Sequence, residues 1–254
     1  MAADLLKLCD PRTYYDKFLS ESIYPNGRSI NRFRPISLQL VRQGAFCTND
    51  ALRNADGRLT WILNLHIMSV VDDATALINQ LVSQGAFCTN DALRTADGRL
   101  TWILNLHIMI LSVDGAISDA LCNCVVGALV DLQLREASTD CDEDIPIDIT
   151  KVELSDSTHH IVLADFPVSS TFIVYEAPDE TVKILCDPAP ELFEIIPNTV
   201  VIVVGNNSRI HRISQSGLAG DEAVMRRMVE LAVGRQKLIA DSLIKAKEAY
   251  LAKE

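Results

Sequence analysis

The sequence predicts an α+β protein in which a mostly antiparallel sheet carries packed helices. Three stretches carry that prediction. Residues 100–113, LTWILNLHIMILSV, are too long and apolar for a surface strand and run through an Asp-Gly turn into a helical pattern. Residues 144–213 hold short apolar runs separated by Asp, Pro, Gly and Asn, as strands and turns do. Residues 219–251 hold one long helical stripe.

Taken in order, residues 3–20 read as a short amphipathic helix, ended at YPNGRS, where Pro25, Asn26 and Gly27 supply turn geometry. NRFRPISLQLV, 31–41, alternates enough to be a strand. DATALINQLV, 73–82, places Ala74, Leu77, Ile78 and Leu81 on one stripe, with Asp72 or Asp73 as N-cap. In the 100–113 run, Trp102, Leu104, Leu106, Ile108 and Ile110 share one strand face and Thr101, Ile103, Asn105, His107, Met109 and Leu111 the other, the pattern of a central strand buried on both sides. A helix then starts near Gly115 or Ser118, turning Ile117, Leu121, Val125, Leu129 and Leu132 to the core. Short strands are expected in PIDITKVEL, HIVLA, STFIVYE, VKILCDP, NTVVIVVG and RIHRIS. The last helix presents Val224, Met228, Leu231, Ala232, Leu238, Ile239, Leu243, Ala246 and Tyr250 on one side. Asp221 and Glu222 stand near its N-terminus and Lys245 and Lys247 near its C-terminus, as the dipole favours.

Composition narrows the function classes. With 254 residues and 48 % hydrophobic content the chain can bury one large or two small cores. No run reaches the roughly 18 to 20 uncharged apolar residues of a membrane span, and MAADLLKLCD lacks the pattern of a secretory signal. The seven cysteines (Cys9, Cys47, Cys88, Cys122, Cys124, Cys141, Cys186) are odd in number and irregularly spaced, as reduced core thiols would be. A net charge of −11 argues against a free-standing nucleic-acid binder but leaves room for a subunit sharing an RNA path with basic neighbours. The dense acidic block TDCDEDIPIDITKVELSD, 139–156, reads as a solvated loop leading into an edge strand.

One feature cuts across these elements. Residues 43–68, QGAFCTNDALRNADGRLTWILNLHIM, recur at 84–109 with a single change, Asn54 becoming Thr95. Solenoids need at least about three units and diverge at their caps, so this is a recent duplication or a faulty gene assembly. Only one copy can occupy the place for which the surrounding sequence was selected.

YYDKFLSESIYPNGRSINRFRPISL resembles the opening of the RNase PH-like subunits of the eukaryotic RNA exosome, where a tyrosine-rich helix leads into a "PDGR…FR" segment. From Asp73 the order stays similar through DATALINQLV, GRLTWILNLHIMILSVDGAISDALCNCVVGALVDLQL, FPVSSTFIVYE, ILCDP and SGLAGDEAVMRRMVELAVGRQKLI. The likeness spans about 20–35 and 73–250. It implies an RNase PH-like fold of mixed and antiparallel sheets with packed helices, its N-terminal half truncated and altered by the duplication. It also implies three segments: an N-terminal helix and arm at 1–35, a first half at 36–135 and a second half with the long helix at 136–254. The sequence departs from the family between about 41 and 72, where a "G…ADGSA…K.G.T" strand pair is usual, so the first copy is the intruder. Its NADGRLTW string, 54–61, echoes the missing hairpin. A turn at Asp56-Gly57 and a strand from Thr60 to Met68 are expected to fill part of the lost sheet.

Active members of this superfamily, as the resemblance implies, degrade RNA 3′ to 5′ by phosphorolysis. That chemistry needs arginines to hold phosphate and carboxylates to place a metal or move a proton. Where relatives place those carboxylates, only Asp114 remains, and His107 falls where they tend to have an acid. An Asp before Gly is more often turn chemistry than catalysis, and the basic residues, such as Arg209 and Arg212, are scattered. Other candidates are no stronger. His159 and His160 are neighbours in a polar loop and point apart. Cys122 and Cys124 face roughly 200° apart on a helix and read as buried thiols. Ser216-Gly217 precedes a helix but lacks phosphate-loop spacing.

The expectation is therefore a protein that is not an enzyme, with no catalytic or metal-binding residue, no cofactor and unassigned RNA contacts. It would be a non-catalytic structural subunit supporting 3′ to 5′ RNA processing and degradation, including ribosomal RNA maturation and messenger RNA turnover. Its implied partners are other RNase PH-like subunits in a hetero-hexameric ring, RNA-binding cap subunits and RNA passing through the complex, in nucleus, nucleolus and cytoplasm. The alternative is an active phosphorolytic 3′ to 5′ exoribonuclease of the same family.

Overall fold

The computed structural model describes residues 2–36, 52–54, 61–66, 72–95, 98–110, 112–138, 152–218 and 220–251. They form two compact units that interleave along the chain. The first takes Met1–Ser37, Ser112–Ala120 and Val168–Ile239, and the second Leu38–Leu111, Leu121–Pro167 and Ala240–Glu254.

In the first unit the expected N-terminal helix is two helices, α1 (Ala2–Cys9) and α2 (Pro11–Leu19). Pro11 has no N–H to continue α1 and suits the first turn of α2, while the Asp10 carboxylate accepts the Thr13 N–H at 3.1 Å as its cap. The turn expected at Pro25 to Gly27 is present: the Gly27 N–H donates to Tyr24 O at 2.8 Å, and Gly27 takes φ +80°. Residues 31–36 form no strand, and 37–41 lie outside the described residues. Pro35 removes a ladder donor, and Arg34 is held by side-chain bonds instead of sheet pairing.

The sheet of this unit is β7 (Val168–Glu176), β8 (Val182–Cys186), β9 (Thr199–Val204) and β10 (Ile210–Ser216), in the antiparallel order β10-β9-β7-β8. It is covered on both faces. Ile173, Tyr175 and Leu185 pack with Tyr15 and Leu19 of α2, with Tyr24 and Ile30, and with Leu192 of the short helix α5 (Pro190–Ile195). Phe172, Val174, Cys186, Val200, Ile202 and Val204 pack with Met228 and Ala232 of α6 (Glu222–Leu251). Alternation along β7 thus feeds two cores, which is why VSSTFIVYE is buried at every position but its last. Asp221 starts α6 by accepting the Val224 N–H at 2.9 Å. Leu238, expected in the core, is 71 % exposed; the buried stripe runs Met228, Ala232, Arg235, Ile239, Leu243, and Leu238 lies about 100° off it.

In the second unit α3 (Asp72–Ser83) buries Ala74, Leu77, Ile78 and Leu81, as its spacing predicts. The long strand expected over 100–113 is two, β3 (Leu100–Trp102) and β4 (Leu104–Met109). β3 pairs antiparallel with β1 (Leu52–Asn54), while β4 pairs parallel with β2 (Trp61–His66). A partner of opposite direction on either side of Ile103 breaks the single ladder. Burial on both sides holds for residues 100–104 and ends at the exposed Asn105. The expected first-copy strand therefore exists as β2, but it joins the second copy in a two-stranded sheet and not the four-stranded one; the Asp56-Gly57 turn lies outside the described residues.

Helix α4 (Ile117–Asp131) buries Leu121, Val125 and Leu129 as expected, with Cys122, Val126 and Val130 beside them. It ends early enough for a strand absent from the sequence reading, β5 (Gln133–Ser138), to pair antiparallel with β6 (Glu153–His160). His159 and His160 are therefore in a strand and not a loop, opposite Leu134 and Gln133. Of HIVLA, His160 ends β6 and Leu163 makes an isolated bridge to Cys88, and PIDIT lies outside the described residues.

Candidate functional site

Carboxylates and arginines converge at two places in the first unit, and the elements explain why. Asp119 stands in the first turn of α4, Ser169 and Thr171 on β7, and Arg235 on the buried stripe of α6. Asp119 is 3 % exposed and accepts four bonds. The Ser169 and Thr171 hydroxyls donate to Oδ1, each at 2.8 Å, the Thr171 N–H donates to Oδ2 at 3.0 Å and Arg235 Nη1 donates to Oδ2 at 2.6 Å. Arg235 lays its guanidinium 4.2 Å from the centroid of Phe33, whose ring meets Phe172 edge-on at 5.6 Å. A carboxylate removed from water survives only with such a full shell of donors.

The second cluster surrounds Asp187, the residue after β8, which adopts φ +50°. Arg34 clasps it with two parallel bonds, Nε to Oδ2 and Nη2 to Oδ1, both 2.7 Å. Its third nitrogen, Nη1, donates to Asp114 Oδ2 at 2.8 Å. Arg28 stacks 4.3 Å over the Tyr24 ring, donates to the carbonyls of Arg32, Cys186 and Asp187, and lies 3.5 Å from the Asp187 carboxylate. Burial works against ionised Asp187, but the hydrogen bonds and charge of Arg34, with the charge of Arg28, outweigh it and hold the carboxyl below its ordinary range. The hydrogen bond to Asp187 in turn tightens the proton on Arg34. Burial pushes the neighbouring Cys186 thiol up to about 12, which keeps it protonated.

The structure brings Asp114, the one acid singled out in the sequence, to this second cluster. Its side chain is 74 % exposed and precedes Gly115, which takes φ +124° against Arg34. It is a turn residue with an arginine partner. His107 lies in β4 opposite Asn64, Arg209 leads into β10, and Arg212 pairs with Val203 within the sheet. Cys122 is buried and donates to Pro167 O at 3.1 Å, whereas Cys124 is exposed, so only one of that pair is the expected core thiol. Gly217 turns the chain out of β10 at φ +72°, and the Leu218 N–H donates to Asn198 Oδ1 at 2.9 Å, so this segment is a helix approach. No group of three or more metal-ligating side chains gathers among the described residues.

Asp119, Asp187, Arg28, Arg34 and Arg235 were not singled out in the sequence. For Asp119 and Arg235 the signal was present: each interrupts an apolar helical stripe, and a charge at a core position requires a partner. Nothing local marks the pairing of Arg34 with Asp187, which lie 153 residues apart.

No family model matches the chain, and no curated protein matches it by sequence. Solved structures do. An archaeal exosome core chain superposes with a TM-score of 0.66 at 16 % identity, over 95 % of this chain and 98 % of that one. A chain of the Archaeoglobus fulgidus exosome with RNA bound to the active site gives 0.66 at 14 % identity over the same shares. The fold is that of the RNase PH-like exosome core subunits. Rice Rrp46 gives 0.45 at 12 % identity over 72 % of this chain and 70 % of that one, too remote to add to the comparison. Within the RNase PH-like fold of this chain, both acid–arginine clusters lie beside the four-stranded sheet, between elements that the linear sequence keeps far apart. As chemistry they are acid–arginine ion pairs. Each nitrogen of Arg34 donates to one of the chain's own carboxylates, and Arg235 gives Nη1 to Asp119, while the buried Nε atoms of Arg235 and Arg28 find no hydrogen-bond partner among the described residues.

Proposed function

We propose that this chain is a non-catalytic structural subunit of an RNA exosome ring, similar in its sequence motifs to the eukaryotic ribosomal RNA-processing protein 43. It supports 3′ to 5′ RNA processing and degradation by shape and docking surface. Its partners are other RNase PH-like subunits closing a hetero-hexameric ring, RNA-binding cap subunits, and RNA threading the complex, in nucleus, nucleolus and cytoplasm. The observation that carries this reading is the engagement of all three Arg34 guanidinium nitrogens by Asp187 and Asp114. A phosphorolytic site must offer guanidinium donors to an incoming phosphate and to the charge that develops on the transferring phosphoryl group. Donors already paired with the chain's own carboxylates, the buried Asp187 and the exposed Asp114, would have to break those pairs first. The RNA carried at the active site of the similar archaeal assembly favours the second reading, an active exoribonuclease. Incubating the purified chain, alone and with its ring neighbours, with single-stranded RNA and inorganic phosphate separates the two. No release of nucleoside diphosphates above that of the neighbours alone is expected; release that depends on this chain's Asp114 and Arg34 overturns the assignment.

A further inference from the structure

The arm between α2 and Phe33 turns at the chain's single Asn–Gly pair, Asn26-Gly27. Ile23 bridges Ser29, the Tyr24 N–H donates to Arg28 O at 2.7 Å, and Pro25 and Asn26 fill the two corners of the turn, so the pair sits at a hairpin tip. Pro25, Asn26 and Gly27 are all exposed. The Arg28 N–H donates to Asn26 Oδ1 at 3.1 Å. That bond polarises the side-chain amide and faces the oxygen on which negative charge collects when a nucleophile adds at Cγ. The next residue supplies the nucleophile, its backbone nitrogen, and Gly27 presents it with no Cβ to obstruct the five-membered ring that closure makes. No atom beyond its chain neighbours lies within 4 Å of the point where a Cβ on Gly27 would stand, so the rest of the chain does not crowd that closure.

We propose that Asn26 is a self-modification site at which the chain, with water as the only co-reactant, exchanges a side-chain amide for a carboxylate. Hydroxide takes the Gly27 N–H proton as its bond to Tyr24 O opens, and the nitrogen bonds to Asn26 Cγ. The Cγ–Nδ2 bond breaks, and the amide nitrogen leaves as ammonia, its third proton coming from water. Water then opens the cyclic imide at either carbonyl. Attack at Cγ gives aspartate; attack at the backbone carbonyl gives isoaspartate, with the peptide rerouted through the side chain. Nothing is oxidised or reduced. Both products place a new negative charge two residues from Arg28, but only isoaspartate adds a carbon to the main chain inside the hairpin. That carbon falls between Tyr24 and Arg28, which stack at 4.3 Å and from which Arg28 reaches Cys186 O and Asp187 O. The site therefore couples the age of the chain to the Asp187 clasp.

Peptide mass spectrometry of the full chain, incubated in heavy-oxygen water between pH 7 and pH 9, tests the proposal. Asn26 is expected to take up the label first, with the exposed Asn31 and Asn207, which precede Arg32 and Ser208, still intact at its half-time. Its rate is expected to rise with hydroxide concentration, and Gly27→Ala is expected to abolish labelling at Asn26 over the same period. Label that reaches Asn26 no sooner than Asn31 or Asn207 overturns the proposal. If Gly27→Ala fails to fold, that comparison within the wild-type chain decides alone. Ion exchange then separates the aged fractions for melting curves. The isoaspartyl fraction is expected to melt below Asn26→Asp, which carries the same new charge on an ordinary backbone; an isoaspartyl fraction that melts together with Asn26→Asp overturns the coupling to the clasp. RNA and phosphate enter none of these measurements, so the ring assignment stands or falls separately.

Discussion

Arg235 Nη1 lies 2.6 Å from Asp119 Oδ2, and both side chains are at most 8 % exposed. One comes from the stripe of α6 and the other from the first turn of α4, and β7 supplies the two hydroxyls that complete the carboxylate's shell. Removing one partner of such a pair leaves an uncompensated buried charge, which costs about 3–5 kcal/mol. Asp119→Ala is expected in that range, since it strands Arg235, Ser169 and Thr171 together. Arg235→Met, which keeps an unbranched apolar stem and removes the guanidinium from Phe33, is expected to cost less than Asp119→Ala because the hydroxyls and the Thr171 N–H still serve the carboxylate. Denaturant unfolding of the single and double variants reads the coupling directly. A double variant whose loss equals the sum of the singles would show that the pair does not act as a unit.

The Asp187 clasp gives the chain an acid-sensitive lock. Its carboxyl is held below the ordinary value near ~3.9, so the folded state binds that proton less readily than the unfolded one. The contribution is complete above the unfolded value and disappears as pH falls through the lower folded one. The melting temperature should therefore drop below about pH 4, with this group contributing nothing to changes near neutrality. Asp187→Asn keeps the side-chain shape and tolerates the left-handed backbone at φ +50°. It is expected to lower stability at pH 7 by about 2 kcal/mol through the lost charge-assisted bonds and to flatten the acid limb. Melting curves of the two proteins from pH 6 to pH 2 check this, and parallel acid limbs would count against it.

The sequence was legible where one period governed one element. Ala74, Leu77, Ile78 and Leu81 needed only the helical repeat, and β7, β8, β9 and β10 needed only apolar runs bounded by turn residues. Legibility failed where a neighbour decided. The run at 100–113 reads as one strand because its composition is uniform, yet opposed partners divide it at Ile103. SDSTHH reads as a loop because it is polar, yet β5 gives it a ladder to join. The acid–arginine clusters failed for the same reason, since charge pairing over more than a hundred residues leaves no periodic trace. Asp119 and Arg235 were the exception that position alone betrays.

Gly115 separates backbone strain from collision. It takes φ +124°, and a Cβ there would run into Arg34 Nη2 and stand 3.2 Å from Pro188 O. Gly27, at φ +80°, has nothing within 4 Å of the same point. Gly27→Ala is expected to cost about 1–2 kcal/mol, the backbone term alone. Gly115→Ala should exceed it, because Arg34 must also give way and with it the bonds to Asp114 and Asp187. Denaturant midpoints of the two variants test the order, and equal losses would mean that Arg34 swings aside at no cost.

Thiol chemistry reports burial in each unit without a substitution. Cys9 is exposed on α1, whereas Cys88 and Cys186 are each at most 1 % exposed. Burial pushes Cys88 up to about 11 and Cys186 up to about 12, so neither carries a meaningful thiolate fraction at pH 8 even before access is considered. Alkylation with iodoacetamide at pH 8, followed by peptide mass spectrometry, should mark Cys9 within minutes and leave Cys88 and Cys186 unmodified until denaturant is added. Cys186 lies between the Asp187 clasp and the face of the sheet that packs on α6, so its protection should weaken in step with Asp187→Asn destabilisation. Cys88, in the second unit, then serves as the internal reference: protection lost at Cys186 and kept at Cys88 would locate the opening at the clasp, and simultaneous loss at both would show that the clasp supports the whole chain.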